Sequence, residues 1–224
     1  MTGCNPIYYA PNSLNVPLFT EAGETNFTLA GNKRQAEFQG AYALTDNFAL
    51  LVNGGLFARN NNERGNEGSG KFLEVGGGYL HPIDDNWVFE GYGLTGLGSV
   101  ENHFNSDSPG PITIRTGDLS ASLFRWGVQP NFGYRSRYFS AAISSRLVNL
   151  IYYDVEGDLM FDNVDQVIFL TENKSYLLAE PAITLRGEFE NIKLQFQMGL
   201  SYNITDPKFL QETGFYTIGL HFAF

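Results

Sequence analysis

Three groups of residues in this chain could do chemistry. His103 lies beside Ser106 and Asp107 in a polar stretch, and a histidine oriented by a carboxylate within reach of a hydroxyl is the apparatus of a hydrolase. Polar loops collect such residues by chance, so a rim-located hydrolase is the minority reading and no catalytic residue is expected. Asp154, Glu156, Asp158, Asp162 and Asp165 offer enough oxygen ligands for Ca²⁺. Their spacing matches no Ca²⁺ loop, and a solvated, mutually repelling surface loop accounts for them without a metal. The third group is Cys4. As the sole cysteine it cannot form an intramolecular disulfide, and with three scattered histidines it cannot complete a Cys/His zinc site. In Met1-Thr2-Gly3-Cys4 it follows two small residues, as the acylated cysteine of a lipoprotein does, although the charged and apolar parts of such a signal do not precede it. A covalent lipid on Cys4 is the expected modification, with no other cofactor. Gly76-Gly77-Gly78 falls inside a strand pattern, where glycine permits close packing, and forms no phosphate loop.

The elements that position these residues follow a period of two. Between residues 190 and 205 one parity reads Ile192, Leu194, Phe196, Met198, Leu200, Tyr202, Ile204 and the other Lys193, Gln195, Gln197, Gly199, Ser201, Asn203. That alternation is a strand with two different faces. It recurs in Ala36, Phe38, Tyr42 and Leu44 against Gln35, Glu37 and Gln39, and in Phe124, Trp126, Val128 and Phe132 against Arg125, Gln129 and Asn131. We expect about ten strands, at roughly 24–32, 34–44, 47–58, 70–82, 86–99, 119–135, 138–153, 174–189, 192–205 and 213–224. The composition agrees: 19 Phe, 12 Tyr and 25 Gly in 224 residues favour strands and tight bends.

Tight connections at Thr45-Asp46, Ile83-Asp84-Asp85, Ser136-Arg137 and Glu190-Asn191 alternate with long ones, apart from a short connection near Asn32-Lys33. A two-residue turn at Glu190-Asn191 sets Glu188 opposite Lys193 and Arg186 opposite Gln195; one at Ser136-Arg137 sets Arg135 opposite Tyr138. Pro130 and Pro181 interrupt strands, and a closed barrel has no free edge, so bulges are expected there.

Amphipathic strands build two kinds of barrel. In a soluble one the apolar face is inside; in a transmembrane one it is outside. The second arrangement sends Glu37, Glu74, Glu90, Glu180 and Glu188 into the lumen with Arg125, Arg146, Arg186 and Lys193, a near-balanced set that could be neutralised in pairs. The C-terminus favours it: Thr217, Gly219, Phe222 and Phe224 stand as Thr-x-Gly-x-x-Phe-x-Phe, similar to the signal by which outer-membrane barrels are taken up for assembly. No run of about 18 apolar residues offers a transmembrane helix. The net charge of −10 argues against nucleic acid and against a polybasic grip on anionic lipid.

The expectation is therefore an all-β, antiparallel up-and-down transmembrane β-barrel over residues 24–224. Residues 1–23, a lipobox remnant followed by Pro6, Tyr8, Tyr9, Pro11, Pro17 and Phe19, are too broken for a strand. They could be a tether, a lumen plug or a docking strip, and a tether is the expected one. With an even strand number both termini would lie on the short-turn, periplasmic side of a bacterial outer membrane.

The stretches Cys4 to Asn12, Asn15-Val-Pro-Leu-Phe, Ala41 to Phe48, Asn131-Phe-Gly-Tyr-Arg-Ser-Arg-Tyr-Phe and Ile218 to Phe224 resemble a family of outer-membrane β-barrel lipoproteins of the Gram-negative Bacteroidota. The resemblance spans nearly the whole chain. It implies location and fold, and no reaction or catalytic residue comes with it. The functional expectation is a non-enzymatic structural or accessory subunit of a larger outer-membrane assembly, with membrane lipid and other outer-membrane proteins as partners. The alternatives are a narrow channel for a small polar solute or lipid, a rim hydrolase, and a soluble ligand-binding barrel.

Overall fold

The computed structural model describes residues 5–61, 65–105, 114–189 and 192–224, and the side chains of these except at 60, 61, 188 and 189. The elements in chain order are β1 (Thr25–Gly31), β2 (Gln35–Thr45), β3 (Phe48–Asn61), β4 (Asn66–Pro82), β5 (Trp87–Phe104), β6 (Arg115–Arg135), β7 (Phe139–Gly157), β8 (Met160–Phe161), β9 (Val164–Asp165), α1 (Gln166–Glu172), β10 (Ser175–Phe189), β11 (Ile192–Leu200), β12 (Tyr202–Asn203) and β13 (Gly214–Ala223). Consecutive long strands pair antiparallel from β1 round to β13, and β13 closes on β1 with Asn26 opposite Ala223. The result is a closed ten-stranded barrel, β12 being the continuation of β11 after a break at Ser201.

The alternation decides which face is outside. Ile192, Leu194, Phe196, Met198, Leu200, Tyr202 and Ile204 are 37–58% exposed, whereas Gln195 and Gln197 are wholly buried. The same holds at Phe38, Tyr42, Trp126, Val128, Phe132, Ile143 and Ile183, all on the outer surface. Water would not tolerate an apolar band of this extent, but lipid does. The soluble-barrel alternative, with its apolar face inside, is not the arrangement found. Ile183, near the middle of β10 and opposite Ile143 and Met198, tests the solvent. In lipid vesicles Ile183→Arg should lower unfolding stability in urea by about 2–4 kcal/mol, the cost of a cation near the bilayer midplane. An unchanged or improved midpoint would mean that the face meets water.

Registers came out in two ways. Glu188 pairs with Lys193 and Arg186 with Gln195, as read from the sequence, although residues 190–191 themselves lie outside the described residues. At the β6–β7 turn the expectation fails by two residues. Arg135 pairs with Ser140, not Tyr138, because Ser136 N donates to Phe139 O and Arg137-Tyr138 become the central residues. An even shift leaves every side chain on its face, so parity could not reveal it. The β2–β3 turn is Asp46-Asn47, one residue later than read, and the register shifts between Ala43 and Thr45.

Bulges at Pro130 and Pro181 are also overturned. The β6–β7 register is the same on both sides of Pro130, and the β7–β10 and β10–β11 registers are unshifted at Pro181. Each proline removes ladder rungs on one side only, which needs no extra residue. The other shift lies between Ser120 and Ser122.

The wall is uneven. β4 to β7 run 17 to 21 residues, well beyond the 9–11 that cross a bilayer, and they project at the long-loop end. β1, β2 and β13 have 7, 11 and 10 residues, so the turn between β1 and β2 ends near the membrane surface. The segment 158–174 folds over the mouth as the β8–β9 hairpin and α1. Its turn uses Asp162 and Asn163 at φ 51° and 65°, the left-handed pair of a tight hairpin.

Candidate functional site: a filled barrel lumen

The lumen is occupied by the chain's own N-terminal segment. Ile7, Tyr8, Tyr9, Leu14, Val16, Leu18 and Phe19 are buried, as are Asn12, Ser13 and Asn15. The tether expected of the N-terminal segment is therefore corrected, over the described residues 5–19, to a plug. It enters at the long-loop end, where Ile7 N donates to Asn102 Oδ1 (2.8 Å) and Tyr8 N to Leu210 O (2.9 Å). It leaves at the short-turn end, where Phe19 N reaches Glu90 Oε1 (3.1 Å) and Ala22 N reaches Asp46 Oδ1 (2.9 Å). Phe224, paired with Thr25, sits at that second end. Asn5 and Phe224 thus lie at opposite ends, because the chain threads the barrel before β1 begins, while residues 1–4 lie outside the described residues.

A plug of extended backbone must satisfy its N–H and C=O groups inside a wall whose own are already paired. The inward side chains do this. Glu37 Oε2 accepts from Ser13 N (2.9 Å). Gln197 accepts from Leu14 N (2.7 Å) and donates to Leu14 O (2.9 Å), taking the place of a neighbouring strand. Gln129 donates to Asn15 O (2.7 Å), Arg186 to Val16 O (2.6 Å) and Asn26 to Pro17 O (2.9 Å). Pro6, Pro11 and Pro17 bring no N–H, so the segment asks for three fewer acceptors. Leu18 turns at φ 57° and packs where Gly133 leaves room: a Cβ there would stand 2.6 Å from Leu18 Cδ2.

The charges form a chain across the lumen. Arg125 donates through Nε (2.8 Å) and Nη2 (2.6 Å) to Glu74 Oε2. Arg146 donates to Glu180 Oε2 through Nε (2.7 Å) and Nη2 (2.5 Å), and its Nη1 lies 3.9 Å from Glu74 Oε1. Asn12 of the plug accepts from Arg125 (2.9 Å) and Arg146 (3.0 Å) at one oxygen. Asn53 links Glu74 (2.9 Å) to Asn15 (2.8 Å). These four charged side chains are at most 1% exposed. Arg186 bonds Gln195 Oε1 (2.8 Å), Lys193 is buried, and the side chain of Glu188 lies outside the described residues.

Other singled-out residues disperse. Thr217 is buried and shares a 2.8 Å hydrogen bond with Ser13 of the plug, Gly219 packs against Leu29 and Ala30, and Phe224 is exposed. Phe222 pairs with Phe27 and Ile192. His221 points inward on Thr28 Oγ1 (2.8 Å). His103 bonds Asp118 and, 3.1 Å away, Asn105. Both ring nitrogens are thus occupied, and Ser106 and Asp107 lie outside the described residues, as does Cys4. The five acids of 154–165 have separate surroundings. Asp165 caps α1, accepting from Val167 N and Ile168 N. Asp162 pairs with Arg115 (2.6 Å), and Asp158 accepts from Asp118 N (3.0 Å). Residues 154–157 belong to β7 rather than to a loop. No group able to hold a metal ion occurs among the described residues.

Above the charge chain, Tyr8, Tyr9, Tyr152, Tyr176, Leu170, Phe161 and Phe209 form an apolar cluster that seals the long-loop mouth. Tyr8 Oη donates to Gln166 Oε1 (2.7 Å) and Tyr152 Oη to Tyr8 O (2.8 Å), so the mouth and the plug are held together. This arrangement can hold a barrel rigid and shut.

No family model and no curated protein matches the chain. Among solved structures, an outer membrane channel from Pseudomonas putida F1 is similar, at 11% identity and a TM-score of 0.40, over 95% of this chain and 99% of that one.

Proposed function

We propose that this protein is an outer-membrane lipoprotein barrel that acts as a rigid structural or accessory subunit, neither conducting solute nor catalysing a reaction. The filled lumen carries the reading: buried plug residues are hydrogen-bonded to the wall from one end of the barrel to the other. The apolar exterior and the division between short turns and long connections support membrane insertion. The motif Thr217, Gly219, Phe222 and Phe224 would serve uptake by the assembly machinery. If the short turns are periplasmic, Asn5 emerges on the outer side, and a lipid on Cys4 would enter the leaflet beside the long loops. The projecting wall of β4 to β7 would then stand above the membrane, available to neighbouring outer-membrane proteins.

The test is fractionation of the native protein with heat-modifiable gel migration, intact mass and planar-bilayer recording. We expect outer-membrane recovery, a shift on heating, acyl mass on Cys4, copurifying proteins in mild detergent and no conductance steps. Stepwise conductance of the intact protein, or its isolation as a lone monomer with nothing copurifying, would refute the subunit role.

A further inference from the structure

At the long-loop mouth, between the plug and the low side of the wall, lies a cavity of about 320 Å³, within the range of small-molecule sites. Its apolar lining comes from Ile7 of the plug, Phe57 of β3 and Phe215 of β13. Lys33 and Arg34, on the turn between β1 and β2, and Arg59 of β3 also line it. Arg34 Nη1 and Arg59 Nη1 stand 3.4 and 3.8 Å from the same oxygen of Glu212. Two guanidiniums thus share one carboxylate oxygen, with Lys33 on the same lining, in a chain whose net charge is −10. Glu212 is fixed in turn to the plug, its N–H donating to Tyr9 O (3.0 Å).

We propose that this cavity binds a phosphate group carried on an apolar body. The two guanidiniums and the ammonium take the phosphate, whose charge and planar-fork geometry suit arginine. The apolar body lies over Ile7, Phe57 and Phe215. β2 has 11 residues, about one bilayer crossing, so the turn bearing Lys33 and Arg34 stands at headgroup height. The phosphate could come from a membrane lipid or from a soluble organic phosphate, and one experiment separates them.

The full-length protein in nonionic detergent is titrated calorimetrically with octyl phosphate and with inorganic phosphate. Octyl phosphate should bind the more tightly of the two. The double variant Arg34→Gln/Arg59→Gln should weaken it by about tenfold or more, the scale of one lost charge-assisted hydrogen bond. Glu212→Gln should tighten it, since it removes the competing carboxylate. Unchanged heat-modifiable migration shows that each variant is folded. The titration is then repeated in nanodiscs with and without phosphatidic acid. Loss of octyl phosphate binding when phosphatidic acid is present assigns the site to a lipid headgroup, and undiminished binding assigns it to a soluble phosphate; both support the site. Absence of binding in detergent, or binding that the arginine substitutions leave unchanged, overturns it.

Discussion

Replacing Glu74 by Gln is expected to destabilise the barrel by about 3–5 kcal/mol, the usual cost of leaving a buried charge without its partner. Among the described residues Glu74 is the only carboxylate in salt-bridge contact with Arg125, and both side chains are 1% exposed. Arg146 keeps Glu180 at 2.5 Å, so the loss concentrates on Arg125, which would be left with neutral partners, the oxygens of Asn12 and of the new amide and the ring of Phe72. Neither water nor a rotated side chain can relieve it easily, because the plug packs against the same guanidinium. The pair itself need not be a net source of stability, since desolvation opposes the Coulomb attraction. The double variant Glu74→Gln/Arg125→Met should therefore recover most of what Glu74→Gln loses. Urea unfolding in vesicles, read by heat-modifiable migration, measures both. A single substitution costing under about 1 kcal/mol, the scale of an ordinary surface change, would mean that the lumen is hydrated and the ion pairs screened.

The interior also defines what could be read in the sequence. Period-two alternation is local, so the inward positions of Gln195 and Gln197 and the outward ones of Phe196 and Met198 were legible, as were the lumen charges other than Glu188, whose side chain lies outside the described residues. Register depends on turn geometry, and the β6–β7 turn slipped by two residues without disturbing any face. The plug was not legible in the same way, because its partners lie on strands scattered from Asn26 to Thr217. One signal did point to it. The inward face carries more amides than its charges need, among them Gln39, Asn53, Gln129, Asn131, Gln195 and Gln197. An amide both donates and accepts, as a neighbouring strand would. A face rich in such groups has backbone to serve. The apolar residues of the segment, spaced among prolines, supply the rest: Leu14, Val16 and Leu18 pack with Val88, Ala142, Ala182 and Phe215. His103 gains a partner that neighbourhood in sequence does not offer, since pairing of β5 with β6 brings Asp118 to its ring.

Deleting residues 5–19 should turn a silent barrel into a conducting one. With the segment gone, Glu37, Glu90, Gln129 and Gln197 lose their backbone partners, and water must enter to replace them, since dry, unpaired polar groups are too costly to leave. Water in a continuous file admits small ions. The step size should be small, because Arg125 and Arg146 still project inward from a narrow ten-stranded wall. Ion selectivity should be weak, because the lumen charges nearly balance. If the deleted protein fails to insert, Gly133→Leu offers a gentler displacement: its side chain would occupy the space of Leu18, whose Cδ2 lies 2.6 Å from the added Cβ. Flickering conductance is expected from that variant, and Leu18→Ala in the same chain should suppress it by restoring room for the plug. Bilayers that remain silent with a folded, inserted, plugless barrel would locate the seal elsewhere, in the tyrosine and phenylalanine cluster over the long-loop mouth, and the plug would then be a brace for the wall rather than its stopper.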